Sequence, residues 1–268
     1  MTRLETPQPA FLKEPTFDLT FPPRADATLD QDREWCEVTV DGARRRIRFH
    51  DYHEIYPVPG LYEHLFYDRL ECSSPTTVRS LLEDELSAAG KQASGLRVLD
   101  VGAGNGMMGA ELTDMGVPTL VGVDIIEQAA AAAERDRPGL YQDYMVADLT
   151  DLSAEDRGRL AEVRFNCLVT VAALGFGDMP PTAFAEAYNS LETPSWVAFN
   201  IKEDFLEGDD RGDFSGLIAR MLEKGALEER SRRRYRHRLS AAGEPLHYLA
   251  MVAVKRADIP LESVERLS

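Results

Sequence analysis

The chain has 268 residues, of which 44% are hydrophobic and 28% charged, so it is long enough for one large domain with an appendage. No apolar run approaches the roughly 18 residues of a membrane span, and the N-terminus lacks the apolar region of a secretory signal. The formal net charge of −16 repels polyanions, which excludes nucleic acid as a general partner.

The three cysteines, Cys36, Cys72 and Cys167, are scattered along the chain. Their number and spacing fit neither a disulfide framework nor a zinc site, so we expect no metal. Reduced thiols are typical of the cytoplasm, and we expect the protein to be cytoplasmic, with no membrane partner. A homodimer is compatible with this sequence.

The first 50 residues are predicted to form an arm followed by a β-hairpin. Residues 1–30 are rich in Pro, Thr and charge without periodicity, which indicates an extended arm. Asp41-Gly42 then separates two runs of alternating character, as in a type I′ turn. One face of this hairpin, within residues 34–50, collects the apolar side chains Cys36, Val38, Val40, Ile47 and Phe49.

Residues 51–95 are predicted to form a helical layer, with helices over 61–70 and from Ser74 to Leu86. Pro57 and Pro59 interrupt it. Its aromatic side chains either pack on the main domain or cover a ligand as a lid. The aromatic and histidine side chains concentrated here are His50, Tyr52, His53, Tyr56, Tyr62, His64, Phe66 and Tyr67.

The main domain, residues 96–268, begins with the stretch RVLDVGAGNGMMGAE at 97–111. A short apolar strand runs into Gly102, Gly104 and Gly106, and a helix follows. Glycine suits such a turn because a Cβ would block the sharp bend and the approach of a ligand. The N–H groups at the start of the next helix add a partial positive charge. This pattern predicts a nucleotide-type binding loop.

Two kinds of ligand compete for this loop. Gly104, Gly106 and Gly109 also satisfy the dinucleotide pattern G-x-G-x-x-G. However, Asp100 lies in the preceding strand, where it would repel a pyrophosphate and attract an ammonium group. The pattern D-x-G-x-G-x-G resembles the first motif of class I S-adenosylmethionine (SAM) methyltransferases. The resemblance implies SAM as cofactor, with the loop around its methionine and ribose parts and Asp100 near the ammonium group.

Acidic residues also end the next two predicted strands. Asp124 lies about 20 residues beyond the glycines, where an acid can bond two ribose hydroxyls. The resemblance implies that Ile125 packs on the adenine and that Asp148, or the backbone of Leu149, meets the adenine amino group. For Asp148, helix capping is the alternative. The resemblance also implies a lid tyrosine at the methionine end of SAM, for which Tyr62 is our choice.

The remaining elements alternate and end in an antiparallel pair around a turn at 241–244. They predict an α/β doubly wound, seven-stranded, mostly parallel sheet with helices on both faces, in addition to the N-terminal hairpin and lid. This pair is what the class I methyltransferase fold, with strand order 3-2-1-4-5-7-6, requires. The fourth strand, 166–172, ends near Val171, which should face the sulfonium because ligands bind beyond the carboxyl ends of parallel strands.

The segment VAALGFGDMP at 171–180 is similar to a segment of methyltransferase-like proteins from the Williams–Beuren region. Those proteins usually carry Pro-Gly-Gly before the fifth strand, where this chain has Thr193-Pro194-Ser195. The likeness covers about the middle third of the chain, so their substrate assignment does not transfer.

The methyl acceptor is expected to be a small molecule, methylated on oxygen, nitrogen or a carboxylate without a metal. The sequence lacks the Asn/Asp-Pro-Pro-Tyr motif of base and glutamine methylation, and the acidic cluster of catechol enzymes. The candidate catalytic residues are His53, Glu203 and His237. Each is a titratable side chain near the predicted site that could act as a general base. The basic stretch 230–238 is either a solvated strand face or an anion site.

Two other functions compete with methyl transfer. A nicotinamide-dependent short-chain dehydrogenase would need Tyr-x-x-x-Lys, and no tyrosine here has a lysine four residues later. A SAM-binding protein that transfers no methyl would keep the same glycines and acids, so only turnover separates it from an enzyme.

Overall fold

A small antiparallel sheet opens the chain in the computed structural model, which describes residues 17–23, 30–175, 178–203 and 213–264. Its strands are β1 (Phe17–Thr20), β2 (Trp35–Val40) and β3 (Ala43–Arg48), in that order across the sheet. The hairpin is confirmed, with Asp41 and Gly42 at positive φ in its turn. Within the predicted extended arm, residues 17–20 form β1, which pairs with β2 and buries Phe17. The rest of that arm, apart from 21–23 and residue 30, lies outside the described residues.

The helical layer follows as α1 (Tyr52–Ile55), α2 (Leu61–Glu63), a π-helical segment (His64–Arg69) and α3 (Ser74–Ala88). The sequence predicted one regular helix over 61–70, whereas the structure widens most of it into π geometry. This layer shares one hydrophobic core with the small sheet, because Ile47 and Phe49 pack with Ile55, Leu61 and Leu65. The lid and the hairpin therefore form one roof.

The main sheet has seven strands in the order β6-β5-β4-β7-β8-β10-β9, which confirms the predicted 3-2-1-4-5-7-6. β10 pairs antiparallel with both β8 and β9, and the other strand pairs of this sheet are parallel. The bounds are β4 (Arg97–Val101), β5 (Thr119–Asp124), β6 (Asp143–Val146), β7 (Cys167–Thr170), β8 (Ser195–Lys202), β9 (Leu227–Leu239) and β10 (Pro245–Lys255).

Helices cover both faces of the main sheet. One core holds side chains of α3 and α4, and another holds those of α6, α7 and α8. In the described part of the chain, no helix combines the length and apolar character needed to cross a bilayer. The bounds are α4 (Met107–Asp114), α5 (Glu127–Asp136), α6 (Ala154–Val163), α7 (Pro181–Asn189) and α8 (Asp213–Glu223).

Candidate functional site

A deep cleft lies beyond the carboxyl ends of β4, β5 and β7, under the roof of the lid and the small sheet. Its cavity volume is about 250 Å³. One end is formed by the glycine loop and the ends of β5 and β6. The other is formed by the roof and the tips of β9 and β10.

The glycine loop presents its backbone to the cleft. Gly104 has φ +55°, and a Cβ there would come within 2.5 Å of the Tyr56 hydroxyl oxygen. The Tyr144 hydroxyl donates to the Gly104 carbonyl at 2.7 Å, which fixes the loop from below. Gly102 and Gly106 also have positive φ, as the motif predicts. The absence of a side chain at Gly104 therefore lets the Tyr56 hydroxyl approach the loop closely.

Asp124 ends β5 and lines the cleft beside the glycine loop. Its carboxylate accepts hydrogen bonds from the Gly104 N–H at 2.9 Å and the Ile126 N–H at 3.0 Å. Burial raises the pKa of Asp124, and these backbone N–H bonds oppose the rise. A carboxylate has about four lone-pair sites, so Asp124 can hold the loop and still accept from two hydroxyls.

Asp100 lies behind the loop and is not among the residues that line the cleft. It is 1% exposed and accepts a hydrogen bond from the Tyr141 hydroxyl at 2.8 Å. Burial raises the pKa of Asp100 to about 7, although the Tyr141 bond acts in the opposite direction. Any interaction between the Asp100 side chain and a ligand in the cleft would therefore pass through the glycine loop or a bridging water.

The predicted adenine end combines an apolar and an acidic side chain. Ile125 lines the cleft and is 61% exposed, which is unusual for a large apolar side chain and leaves a platform for a flat ligand. Asp148 also lines the cleft, but its Oδ1 accepts from the Thr150 N–H and hydroxyl at 2.8 and 2.7 Å. These hydrogen bonds lower the pKa of Asp148. They are the bonds of a helix cap, which is the alternative role given above for Asp148. Leu149 is buried in the cleft wall.

The end of β7 is held in an unusual backbone conformation. Val171 and Ala172 line the cleft, and Ala172 has φ +57°, a region that non-glycine residues rarely adopt. The Ala172 N–H donates to Asn200 Oδ1 at 2.7 Å, and Asn200 is fully buried. Asn200 in turn donates to the Tyr235 hydroxyl at 2.8 Å. This network fixes the strand end that faces the middle of the cleft.

His237 is buried and lines the cleft from β9. Its Nδ1 lies 2.6 Å from Ser74 Oγ, and its ring stacks on Tyr248 with a 4.1 Å centroid separation. Burial, reinforced by the Arg238 charge, lowers the pKa of His237 well below its usual range. His237 is therefore a neutral wall residue whose Nδ1 is engaged in the Ser74–Tyr235 network.

The lid contacts both ends of the cleft. Tyr62 lines it within an aromatic cluster, 5.1 Å from the Tyr56 ring by centroids. Tyr56, which the sequence analysis did not single out, lies closest to the glycine loop. Glu63 fastens the lid to that loop, because it accepts from Asn105 Nδ2 at 2.7 Å and from Arg137 at 3.0 Å.

The other two predicted catalytic residues lie outside the cleft. His53 is exposed on α1, and Glu203 bonds Arg234 at 2.6 Å. The structure instead brings His50 and Asp178 together in the cleft, with His50 Nδ1 and Asp178 Oδ2 2.9 Å apart. A weak sequence signal existed, since His50 follows a predicted strand and Asp178 lies in the loop after the fourth. Among the described residues, no group of three or more His, Cys, Asp or Glu could hold a metal.

The arginines of the basic stretch 230–238 lie on one strand and form ion pairs with acidic side chains. The alternative of an anion-binding site is therefore not supported. The exposed arginines lie on β9, at the edge of the sheet. Arg238, which is buried, bonds Glu34 at 2.5 Å. The other ion pairs are Arg230–Glu228, Arg232–Glu229, Arg233–Asp84, Arg234–Glu203 and Arg236–Glu71.

Comparison with known proteins identifies the domain around this cleft. Residues 99–199 match a family model described as a methyltransferase domain. A search of curated protein sequences found no match. The glycine loop, Asp124, Ile125, Asp148 and Asp178 all fall inside the matched range.

Solved structures with the same fold include the N-methyltransferase NodS from Bradyrhizobium japonicum WM9 in complex with S-adenosyl-L-homocysteine. Its TM-score is 0.54 at 16% identity, and the alignment covers 78% of this chain and 98% of NodS. Magnesium protoporphyrin IX methyltransferase from Synechocystis PCC 6803 with bound SAM has a TM-score of 0.46 at 17% identity, over 68% of this chain and 79% of that one. Residues 99–199 therefore form a methyltransferase domain, set in a seven-stranded sheet with the strand order of the class I SAM-dependent methyltransferase fold.

Proposed function

We propose that this enzyme methylates a small molecule bound beside SAM in the cleft under the roof. One observation carries the proposal: a single cleft joins the glycine loop and Asp124 to an aromatic chamber that the N-terminal residues close. A chamber of this kind excludes water and fits a small acceptor better than a protein surface. The narrower likeness to the Williams–Beuren-region proteins stays a prediction.

The residues at the first end of the cleft fit SAM. The glycine loop lines the cleft at Gly102 and Gly104, and the remaining lone pairs of Asp124 suit a ribose diol. The exposed Ile125 suits the adenine face, with Asp148 and the Leu149 backbone near its amino group. Gly102 and Val171 would border the methionine part. When bound, SAM supplies a methyl group on a positively charged sulfur, which is already a good leaving group.

The protein's own contribution is therefore positioning and exclusion of water. Asn200 holds the Ala172 backbone where β7 meets the cleft, and this fixes the floor between the two ends. Tyr56 and Tyr62 cover the glycine loop from above, and Glu63 holds them there through Asn105. Because these contacts link lid and loop directly, we infer that a bound cofactor orders the lid.

Two measurements test this proposal. Calorimetry should detect binding of S-adenosyl-L-homocysteine and none of NADH. A mass-shift screen of a metabolite extract, with and without SAM, should then show a small molecule that gains one methyl group. Methylation found only on proteins in a dialysed lysate would contradict the small-molecule assignment while leaving SAM binding intact.

A further inference from the structure

The acceptor end of the cleft is rich in hydrogen-bond acceptors and aromatic rings and poor in available positive charge. Phe49, Tyr52, Tyr67 and Tyr248 contribute rings to its wall. Its arginine, Arg238, is 3% exposed and donates to Glu34 at 2.5 Å and to the Leu239 carbonyl at 2.8 Å. The Arg238 charge is thus neutralised by a carboxylate that is itself buried. Among the described residues that line the cleft, Arg238 is the only arginine or lysine, so this part of the wall offers an anionic acceptor no compensating charge.

Gln31 places a hydrogen-bond acceptor in the same wall. The residue is 8% exposed and lines the cleft, and its Nε2 donates to the Tyr248 hydroxyl at 2.7 Å. Within the described residues, its buried Oε1 has no hydrogen-bond partner. A buried carbonyl without a partner costs roughly 1–3 kcal/mol, so a ligand that donates an N–H there is favoured.

Asp178 adds a negative charge at the mouth of this end. The Asp178 N–H bonds the Gly175 carbonyl at 3.1 Å, in the loop that continues from Val171 and Ala172. Its charge reaches two phenols of the wall: burial raises the pKa of Tyr248 to about 12, and Asp178 is among the groups that add to the rise. Burial likewise raises the pKa of Tyr52, with Asp178 the next cause.

His50 stands between this carboxylate and the aromatic wall. Its Nδ1 lies 2.9 Å from Asp178 Oδ2, and its ring meets Tyr52 edge-on at 5.9 Å. Because a carboxylate accepts the bond, Nδ1 carries the proton in the neutral ring, and Nε2 is the basic nitrogen. This is the arrangement of a general base oriented by an acid.

We propose that the acceptor is an amine, whose ammonium group binds Gln31 among the aromatic rings, within the negative field of Asp178, and that His50 removes its proton. This inference rests on the proposed function, since it concerns the acceptor of the same methyl transfer. Ammonium groups are attracted both by a carboxylate and by the faces of aromatic rings. A phenol or a carboxylate would use neither attraction.

The proton step is balanced without any further reactant. The N–H bond of the ammonium breaks and its electron pair stays on nitrogen, as the lone pair that methylation requires. The proton moves to His50 Nε2, and the imidazolium that forms keeps its Nδ1–H bond to Asp178. Release of the proton to solvent restores the neutral ring. Asp178 thus attracts the ammonium group through its charge and positions His50.

Binding is tested with three aromatic probes of nearly equal size: benzylamine, p-cresol and benzoate. Calorimetry is run at pH 7.5 on protein saturated with S-adenosyl-L-homocysteine, so absence of nucleoside binding refutes the SAM site and not the amine assignment. We expect benzylamine to bind at least tenfold more tightly than the other two. Equal or tighter binding of p-cresol or benzoate, or no binding of any probe, would overturn the proposal.

Variants localise the effect. Asp178→Asn and Gln31→Leu should each weaken benzylamine binding at least about fivefold. The control is Asp68→Asn, which removes a second His–Asp pair, His64 Nδ1 to Asp68 Oδ2 at 3.1 Å, outside the cleft. It should leave benzylamine binding unchanged. An equal loss in Asp68→Asn would mean that the general negative field of the protein, and not the cleft, attracts the amine.

The role of His50 is tested by nuclear magnetic resonance and by turnover. Long-range 1H–15N spectra of the five histidines, assigned with His50→Gln, should show His50 protonated on Nδ1 and lose that form in Asp178→Asn. With the acceptor from the metabolite screen, His50→Gln should lower kcat at least about 10²-fold, whereas His64→Gln should not. Protonation on Nε2, or near-wild-type kcat in His50→Gln, would refute the assignment.

Discussion

Replacing Asp100 by Asn should stabilise the cofactor-free protein more at high pH than at low pH. Asp100 is 1% exposed, and burial raises its pKa to about 7 from the ordinary 3.8. A buried carboxyl with a raised pKa binds its proton more tightly in the folded than in the unfolded state. Its effect on stability therefore becomes more unfavourable as pH rises from about 4 to 7, and is constant above that.

The magnitude follows from these two pKa values. At about 1.4 kcal/mol per tenfold change in proton affinity, the cost rises by roughly 3 kcal/mol between pH 5, where folded Asp100 is protonated, and pH 8.5, where it is ionised and costs about 4 kcal/mol. Asn removes this charge and can still accept the Tyr141 hydrogen bond through its amide oxygen. The gain in unfolding free energy should thus be roughly 3 kcal/mol larger at pH 8.5 than at pH 5.

Urea unfolding of wild type and Asp100→Asn at the two pH values measures this difference, with constant m-values as the check on comparable unfolding. Asp114→Asn, at the exposed end of α4, is the control for the loss of one carboxylate. A gain that is the same at both pH values would refute the reasoning, because it would show that Asp100 carries no burial cost.

The remaining predictions concern the cofactor end and the roof. Asp124→Ala should weaken binding of S-adenosyl-L-homocysteine roughly tenfold to a hundredfold by calorimetry, since a buried ribose hydroxyl loses its partner; unchanged affinity would exclude the ribose role. Gly104→Ala should lower the unfolding free energy by about 1–2 kcal/mol because of its positive φ, and adding Tyr56→Phe should recover part of the loss; no recovery would mean that the Tyr56 hydroxyl does not crowd this position. Glu34→Gln should cost about 3–5 kcal/mol in urea unfolding, because Arg238 is left buried without its carboxylate, and a loss below about 1 kcal/mol would contradict this. Hydrogen exchange over 52–67 should slow when S-adenosyl-L-homocysteine binds; protection confined to 102–106 would mean that the lid packs independently of the cofactor.

The main sheet could be predicted because its signals are local. Each parallel strand is a short apolar run with a helix after it, and the final antiparallel pair is separated by an evident turn. The prediction failed where local periodicity is absent. β1 has four residues and is recognisable only by its pairing with β2, which no pattern within 1–30 reveals. The π geometry of His64–Arg69 likewise has no local periodic signal, and its Leu65 and Phe66 pack in the core that includes the small sheet.

The candidate catalytic residues show the same limit more sharply. His50 and His53 lie three residues apart in one polar, aromatic stretch, so sequence alone cannot decide which faces the cleft. The turn between β3 and α1 decides it, and it places His50 inward and His53 outward. The position of Glu203 after the fifth strand predicts a site residue, but Arg234 on β9 donates a hydrogen bond to its carboxylate. Contacts between distant segments determined these outcomes.

The residues that we assign to the cofactor and those that we assign to the acceptor lie in different parts of the sequence. The glycine loop and Asp124 lie within residues 99–199, which match the methyltransferase domain, whereas Gln31, His50 and Arg238 lie outside it. The segments before and after residues 99–199 also contact each other directly. The Leu239 N–H donates to the Leu70 carbonyl at 2.7 Å, and the Ser73 N–H donates to the His237 carbonyl at 2.9 Å. The acceptor wall can therefore change as one unit while the cofactor loop stays the same. For this reason the acceptor of this enzyme is better inferred from its roof than from the domain that it shares with other methyltransferases.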